Sequence, residues 1–117
     1  MRTVSLNESG FVTLDVNGNG TVRIGPDEPA ARWSPTVASV SVNTNVLEAS
    51  ALIYAGYDTS QQYFVDGTQT ASSGDSTANI AGRIIGRTQL PYVFAVFTGG
   101  DPGSQATLTV SGTKDIP

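Results

Sequence analysis

The chain of 117 residues contains neither cysteine nor histidine. Without cysteine there are no disulfides and no thiol nucleophile. Without histidine the commonest general base is missing, and so is every Ser-His or Cys-His nucleophile arrangement. A zinc site would lack both of its favoured ligands. We therefore expect a protein that is not an enzyme and holds no cofactor.

Carboxylates are the acid–base groups that remain, and a pair of them would suffice for glycoside hydrolysis. Asp66, Asp75 and Asp101 all lie in glycine-containing segments. Aspartate is common in such segments because its side chain hydrogen-bonds the backbone of a turn. We interpret these residues as turn residues rather than as catalytic acids.

Charge is scarce as well. Charged residues make up 14% of the chain, against about 25% in an average domain, and lysine occurs once, as Lys114. The net charge is −4 and the six basic residues are scattered, so there is no basic stripe for nucleic acid. No apolar run approaches the ~20 residues of a membrane span, and the first residues carry no apolar signal segment. We expect a soluble protein made in a cytoplasm.

Glycine, serine, threonine, valine and alanine take the place of charge, which is a composition typical of strands and turns. Short β-type runs recur with turn signals every ~8–12 residues. This pattern predicts an all-β protein, a single antiparallel β-sandwich over residues 1–117, jelly-roll-like, with about eight or nine strands. Residues 113–117 carry no pattern and are predicted to be an extended tail.

The strongest pattern is the stretch Leu90–Val110. Residues 90–97 are apolar without alternation, which predicts a strand covered on both faces. Residues 98–103 are rich in glycine, proline and aspartate, and residues 104–111 alternate between apolar and polar. Two β-type runs around such a loop predict a hairpin.

A second hairpin is predicted around residues 17–20, Asn-Gly-Asn-Gly, between strands at 11–16 and 21–24. Asn-Gly between alternating runs is a strong hairpin signal because both residues tolerate positive φ. Asp15 to Gly20 also matches the opening of a calcium loop, but Pro26 stands where the bidentate glutamate belongs. We favour the turn.

The other segments follow the same reasoning. Residues 25–35, with three prolines, are predicted to be a loop in which Trp33, the only tryptophan, folds back to close one end of the core. A short turn is expected at Asp66-Gly67. Further strands are predicted at 3–6, 36–44, 47–55, 63–65 and 78–85, with turns or loops at 43–45, 56–62, 69–77 and 86–88.

Six turn-rich landmarks occur in a familiar order between Thr21 and Thr113. In that order the chain resembles small β-rich structural proteins of tailed bacteriophages infecting actinobacteria. The resemblance implies a capsid decoration protein bound to the major capsid protein lattice, or a minor tail protein. It implies a homo-oligomer on the virion and supplies no catalytic residues. The landmarks are Ile24-Gly25-Pro26, Arg32-Trp33, Val65-Asp66-Gly67-Thr68, Gly74-Asp75, Phe97-Thr98-Gly99-Gly100-Asp101-Pro102-Gly103 and Leu108-Thr109-Val110-Ser111-Gly112-Thr113.

Two runs, 90–97 and 49–55, carry apolar side chains toward both faces, so some aromatic residues should lie on an outer face and form an interface. Phe94 and Phe97 have opposite parity and should differ, one in the core and one at the interface. An alternative function is a tail-tip carbohydrate-binding sandwich, with Trp33, Tyr54, Tyr57 and Tyr63 as stacking surfaces. The interface candidates are Tyr54, Tyr92, Phe94, Phe97 and Trp33.

Overall fold

A computed structural model describes residues 2–26, 30–43, 49–69, 75–86 and 90–116. Within them the chain forms eight strands and one short 3₁₀ turn over Gln61–Tyr63. The all-β prediction is confirmed. The strands are β1 Arg2–Thr13, β2 Gly20–Ile24, β3 Arg32–Val42, β4 Ser50–Gly56, β5 Phe64–Gln69, β6 Asp75–Asn79, β7 Tyr92–Thr98 and β8 Gln105–Ile116.

The strands form two four-stranded antiparallel sheets. The first sheet has the order β1-β8-β3-β6 and the second sheet has the order β2-β7-β4-β5. Four of the pairings join strands that are equally far along the strand order from its middle: β1 with β8, β2 with β7, β3 with β6 and β4 with β5. The chain is therefore one long double ribbon, turned back between β4 and β5 and rolled into two layers. This is the jelly-roll form of the β-sandwich, as predicted.

The core lies between the two sheets and follows the two-residue alternation of each strand. Both sheets contribute large side chains, Val40, Leu108 and Val110 from the first sheet and Ile53, Val93 and Phe97 from the second. Both sheets also contribute buried alanines. Small residues opposite large ones allow the layers to interdigitate at the density of a protein interior. The buried alanines are Ala38, Ala78 and Ala106 in the first sheet and Ala51, Ala55 and Ala95 in the second.

Both predicted hairpins are wrong, although their strands exist. The strands on either side of residues 14–19 are β1 and β2, which lie in different sheets, and the same is true of β7 and β8. Each predicted hairpin turn is a crossover between layers. Local turn chemistry determines where the chain reverses, but pairing partners are determined by which apolar faces meet across the sandwich.

The two crossover loops lie against each other at one end of the sandwich. The Leu14 N–H donates to the Ser104 carbonyl at 2.8 Å, and the Gly103 N–H donates to the Leu14 carbonyl at 2.9 Å. The Gly100 N–H donates to the Gly18 carbonyl at 3.0 Å. Gly18 has a positive φ of 77°, as the turn prediction requires. The loops therefore act as one structural unit.

Several boundaries differ from the predictions. β3 begins at Arg32 and includes Pro35, because the register with β8 shifts between Pro35 and Val37, and a bulge accommodates a residue that cannot donate to the ladder. The predicted strand at 78–85 ends at Asn79, and a turn at Gly82, with φ 91°, follows. This turn reverses the parity, so Ile85 is buried and Ile84 is exposed.

Three further expectations are corrected. Asp66 and Gly67 lie inside β5, not in a turn. The strand predicted at 11–16 ends early, because β1 ends at Thr13, and Val16 is exposed. The expected tail belongs to β8 up to Ile116, where it pairs with both β1 and β3. The ends of the chain are strand because each has a partner there.

Some predictions concern residues outside the described ranges. These are residues 27–29 of the loop at 25–35, most of the turn at 43–45, the start of the strand at 47–55, the middle of the loop at 69–77, and the turn at 86–88 beyond Gly86. The described ends of the loop predicted at 69–77 are strand instead, residue 69 in β5 and residues 75–77 in β6.

Candidate interaction surface

The outer face of the second sheet carries a continuous row of large side chains. Arg23 of β2 is the register partner of Phe94 of β7, Phe94 is the partner of Tyr54 of β4, and Tyr54 is the partner of Phe64 of β5. These residues alternate with the buried positions of their strands, so they point away from the core. A neighbouring row pairs Val96 with Leu52. We call Leu52, Tyr54, Phe64, Tyr92, Phe94 and Val96 the aromatic face.

The rings on this face pack edge to face. Tyr54 and Phe64 have centroids 5.6 Å apart, and Tyr92 and Phe94 have centroids 5.9 Å apart, both T-shaped. The guanidinium carbon of Arg23 lies 4.4 Å from the Tyr92 ring centroid. Such pairs contribute about 0.5–1.5 kcal/mol each beyond area burial. The face is therefore a preorganised layer of rings and not a set of mobile side chains.

The five predicted interface residues separate into two groups. Tyr54, Tyr92 and Phe94 lie on the aromatic face, where close packing of the rings leaves Tyr54 and Phe94 each 8% exposed. Phe97 is fully buried between the sheets and Trp33 is 3% exposed. These two are core residues and are not available to a partner. Phe94 and Phe97 differ as their parity predicted.

Trp33 is buried because it is in a strand rather than a loop. Its backbone N–H donates to the Ile85 carbonyl at 2.8 Å, and its carbonyl accepts the Ile85 N–H at 2.9 Å. Its side chain is on the inner face of β3 and closes one end of the core, as expected. The prediction of its position is confirmed, whereas the prediction of a loop is not.

Sequence reasoning missed several members of the aromatic face. Leu52 is 39% exposed and is the large apolar side chain most open to solvent on this face. Phe64 and Val96 are partly buried. The parity of the 49–55 and 90–97 runs could have identified Leu52 and Val96, because each lies two residues from an aromatic on the same face. Nothing in the sequence indicated that β5 would place Phe64 beside Tyr54.

The outer face of the first sheet has a different character. One row across its four strands consists of hydroxyl side chains, Ser9, Thr109, Ser39 and Thr77. The Ser9 and Thr109 hydroxyl oxygens are 3.0 Å apart. Short hydroxyl side chains can hydrogen-bond to one another and to water, so this face can remain exposed to solvent without a protein partner. The two outer faces of the sandwich are chemically unequal.

A groove opens where β1 and β2 diverge at the opposite end from the docked loops. Its volume is about 770 Å³, within the range of small-ligand sites. Glu8 and Trp33 form part of its lining on the side of the first sheet, and Arg23, Tyr57 and Tyr92 on the side of the second. The remaining lining residues are Ser9, Ile24, Gly25, Pro26 and Pro91.

The groove bears on the carbohydrate hypothesis. Tyr57 is 57% exposed, and its ring centroid is 6.1 Å from that of Tyr63. Trp33 contributes to the lining but offers almost no exposed ring, and Tyr54 belongs to the aromatic face. Tyr57, rather than Trp33, is therefore the side chain against which a sugar could stack.

The charged groups of the groove are few. Glu8 on the inner side of β1 forms an ion pair with Lys114 of β8, with the Lys114 Nζ 3.1 Å from a Glu8 carboxylate oxygen. Both side chains are partly exposed, and such a pair contributes about 0–1 kcal/mol. Arg23 lies over the Tyr92 ring. The lining of the groove thus presents one carboxylate, Glu8, that is already paired with a lysine, and one guanidinium, Arg23.

The Asp15 carboxylate accepts hydrogen bonds from the backbone of its own turn. One of its oxygens accepts the Asn17 N–H at 2.8 Å and the Asn19 N–H at 3.0 Å, which is the geometry of an aspartate turn. In the described part of the chain, no three acidic, histidine or cysteine side chains come together as a metal site would require.

None of the helical structure within the described ranges is long and apolar enough to span a membrane. No protein-family model and no curated protein sequence matches this chain.

Proposed function

We propose that this chain is a non-enzymatic structural protein of a bacteriophage virion, most simply a capsid decoration protein that binds the major capsid protein lattice through its aromatic face. The observation that carries the proposal is the inequality of the two outer faces. One sheet presents hydroxyl side chains to water, whereas the other presents rings and aliphatic side chains. An apolar patch on one face of a small domain is typical of a protein interface.

The aromatic face has the composition that interfaces favour. Tyrosine, phenylalanine and arginine are enriched at the buried centre of protein interfaces, while lysine is depleted there. Tyr92 with Arg23 stacked on it, and Leu52 beside Val96, form the accessible parts of this face. Because the rings are already packed against one another, binding would cost little side-chain entropy. The hydroxyl-rich face would remain toward solvent on the particle.

The resemblance of the landmarks to actinobacterial phage structural proteins supports the particle as the partner. The low charge of the chain points the same way, since only 14% of its residues are charged. Neither feature distinguishes head from tail, and a minor tail position uses the same surface.

The proposal is tested on virions of the phage that encodes the chain. Mass spectrometry of purified particles should detect the protein in many copies, and purified protein should rebind particles produced without it. Leu52→Glu should abolish rebinding, because it places a charge on the aromatic face, at its most exposed apolar side chain, while leaving the core untouched.

The matched control is Phe11→Glu, which replaces an exposed apolar residue on the outer face of the first sheet, where Phe11 is 66% exposed. It should rebind like the parent. Absence of the protein from particles would refute the proposal. Equal rebinding by the Leu52→Glu variant would show that the aromatic face is not the contact.

The groove favours a second function, a carbohydrate-binding module at a tail tip. Trp33 lines the groove, so its fluorescence should report any sugar that enters. A glycan panel that shifts this fluorescence for the parent protein, and not for Tyr57→Ala, would support the second function. No shift with any glycan would dismiss it.

A further inference from the structure

Among the described residues, β1 has a long backbone edge without a partner strand. It pairs with β8 over all twelve residues, from Arg2 with Ile116 to Thr13 with Gln105, and it stands at the end of the first sheet. Its second edge makes no backbone hydrogen bond to any other residue within the described ranges. A row of unpaired N–H and C=O groups is a template for another strand.

The other edge strands are blunted, whereas β1 is not. β2 and β6 each have five residues, and β5 has six and contains a register shift. Short length and bulges are the usual means by which proteins prevent edge pairing. β1 has no proline, no lysine and no register shift. Its charged residues, Arg2 and Glu8, share the inner face, and Glu8 forms an ion pair with Lys114.

Within the described ranges, β2 packs under the second half of β1 but not under the first half. At Gly10 the strand lies so close to β2 that an added Cβ would be 2.7 Å from an Ile24 methyl carbon. From Gly10 onward β2 therefore occupies the inner face of β1, where an inward-pointing side chain of a partner strand would meet it. Residues 2–8 extend past this contact.

The open segment is complementary to itself in one antiparallel register. A two-fold axis normal to the sheet keeps each side chain on its own face, so paired residues must have the same parity. With the axis at Ser5, Arg2 of each copy lies opposite Glu8 of the other copy. Arg2 and Glu8 are the only charged residues of β1. The other opposed pairs are Val4 with Leu6 on the inner face, and Thr3 with Asn7 and Ser5 with Ser5 on the outer face.

Neighbouring registers lose this match. An axis at Val4 would place Arg2 opposite Leu6, so the guanidinium would face an apolar side chain and Glu8 would have no opposite charge. An axis at Leu6 would place Arg2 opposite Gly10, and the inward-pointing Arg2 side chain would meet β2, which occupies the inner face there. Opposite charges directly across a pair of strands are stabilising. The register centred on Ser5 is therefore preferred.

We propose that β1 pairs with β1 of a second copy of this chain, antiparallel about a two-fold axis at Ser5. The two four-stranded first sheets would then join into one sheet of eight strands. Arg2 of the second copy would lie beside Glu8, which lines the groove, so each copy completes the groove of the other. This inference is independent of the virion proposal, because it concerns the protein in solution.

The test uses the absence of cysteine. Because the chain has no cysteine, a single introduced thiol can form a disulfide only with another copy. Directly opposed residues in an antiparallel pair have Cα atoms about 4.5–5.5 Å apart, which is within disulfide range. Oxidised Ser5→Cys should be a covalent dimer, and the control Thr13→Cys, on the same strand and face but outside the pairing, should stay monomeric.

Sedimentation velocity without any thiol gives the second readout. The parent should show a concentration-dependent dimer that Arg2→Glu dissociates and that the charge-swapped Arg2→Glu/Glu8→Arg chain restores. A parent that is monomeric up to millimolar concentration would overturn the proposal. So would a dimer that Arg2→Glu leaves intact, or a failure of Ser5→Cys to cross-link while circular dichroism shows it folded.

Discussion

Gly18 is the position at which one added methyl group should do the most damage outside the core. Its φ of 77° is in the left-handed region, and a Cβ built there would lie 2.0 Å from the Gly100 carbonyl oxygen. Since real Cβ atoms stay beyond 3.0 Å from other atoms, the two docked loops would have to move apart by about 1 Å. The Gly100 N–H to Gly18 carbonyl bond joins the same loops and would be strained or lost.

The cost of Gly18→Ala has two parts. The left-handed conformation costs an alanine about 1–2 kcal/mol, and loss of one backbone hydrogen bond costs about 0.5–1.5 kcal/mol. Together they cost about 1.5–3.5 kcal/mol, which is a large part of the roughly 5–15 kcal/mol that stabilise a typical domain. Gly18→Val should cost more, because a β-branched residue is harder to hold at positive φ.

Gly99→Ala is the matched control. Gly99 has a φ of 75° and no atom within 4 Å of an added Cβ, so it carries the conformational cost alone. Equilibrium urea unfolding, followed by the fluorescence of the buried Trp33, should show Gly18→Ala to be the less stable variant by about 1 kcal/mol or more. If the two variants unfold together, the loops are not docked as described and the reasoning fails.

Three other outcomes are expected. Phe97→Ala creates a closed cavity and should lower the free energy of unfolding by about 3–5 kcal/mol. Phe94→Ala, on the same strand, leaves a space open to solvent and should lower it by about 1.5–3 kcal/mol. Urea unfolding of both variants measures this, and a larger loss of stability for Phe94→Ala would contradict the assignment of faces. Asp15→Ala removes the acceptor of two turn N–H groups and should cost about 1 kcal/mol per bond, equally with calcium and with chelator; a loss confined to calcium buffer would indicate a metal site instead. Hydrogen bonds from the Ser60 side chain and backbone lower the pKa of Asp58, so the bonded turn is favoured at neutral pH and weakens as the pH falls below about 4. An NMR titration should show this pKa rising toward its ordinary value in Ser60→Ala, and an unchanged pKa would contradict the assigned cause.

The fold class was readable from the sequence because it depends on local pattern. Ala106, Leu108 and Val110 alternate with polar residues, and all three are fully buried. Ala38, Val40 and Val42 do the same in β3. A two-residue period leaves one face apolar whatever the strand pairs with, so strands and their inner faces could be assigned before any partner was known.

Strand boundaries were less predictable where tertiary contacts override local signals. Pro35 indicated a loop, yet β8 supplies a partner on one side of it and a bulge absorbs the missing donor. Residues 113–116 have no pattern of their own and are strand only because β1 and β3 lie on either side. Both cases depend on residues far away in the chain.

The candidate surface shows the same division. The sequence alone determined that Phe94 and Phe97 point in opposite directions, because successive side chains of a strand alternate. It could not determine which of them is buried, since both flank equally apolar neighbours.

Only the tertiary structure decided that Phe97 meets the first sheet and that Phe94 joins Tyr54 and Tyr92 outside. It also decided that the Asn-Gly turn is a crossover rather than a hairpin. The physical reason is that side-chain alternation is a property of one strand, whereas register and layer assignment depend on how all eight strands bury their apolar faces together.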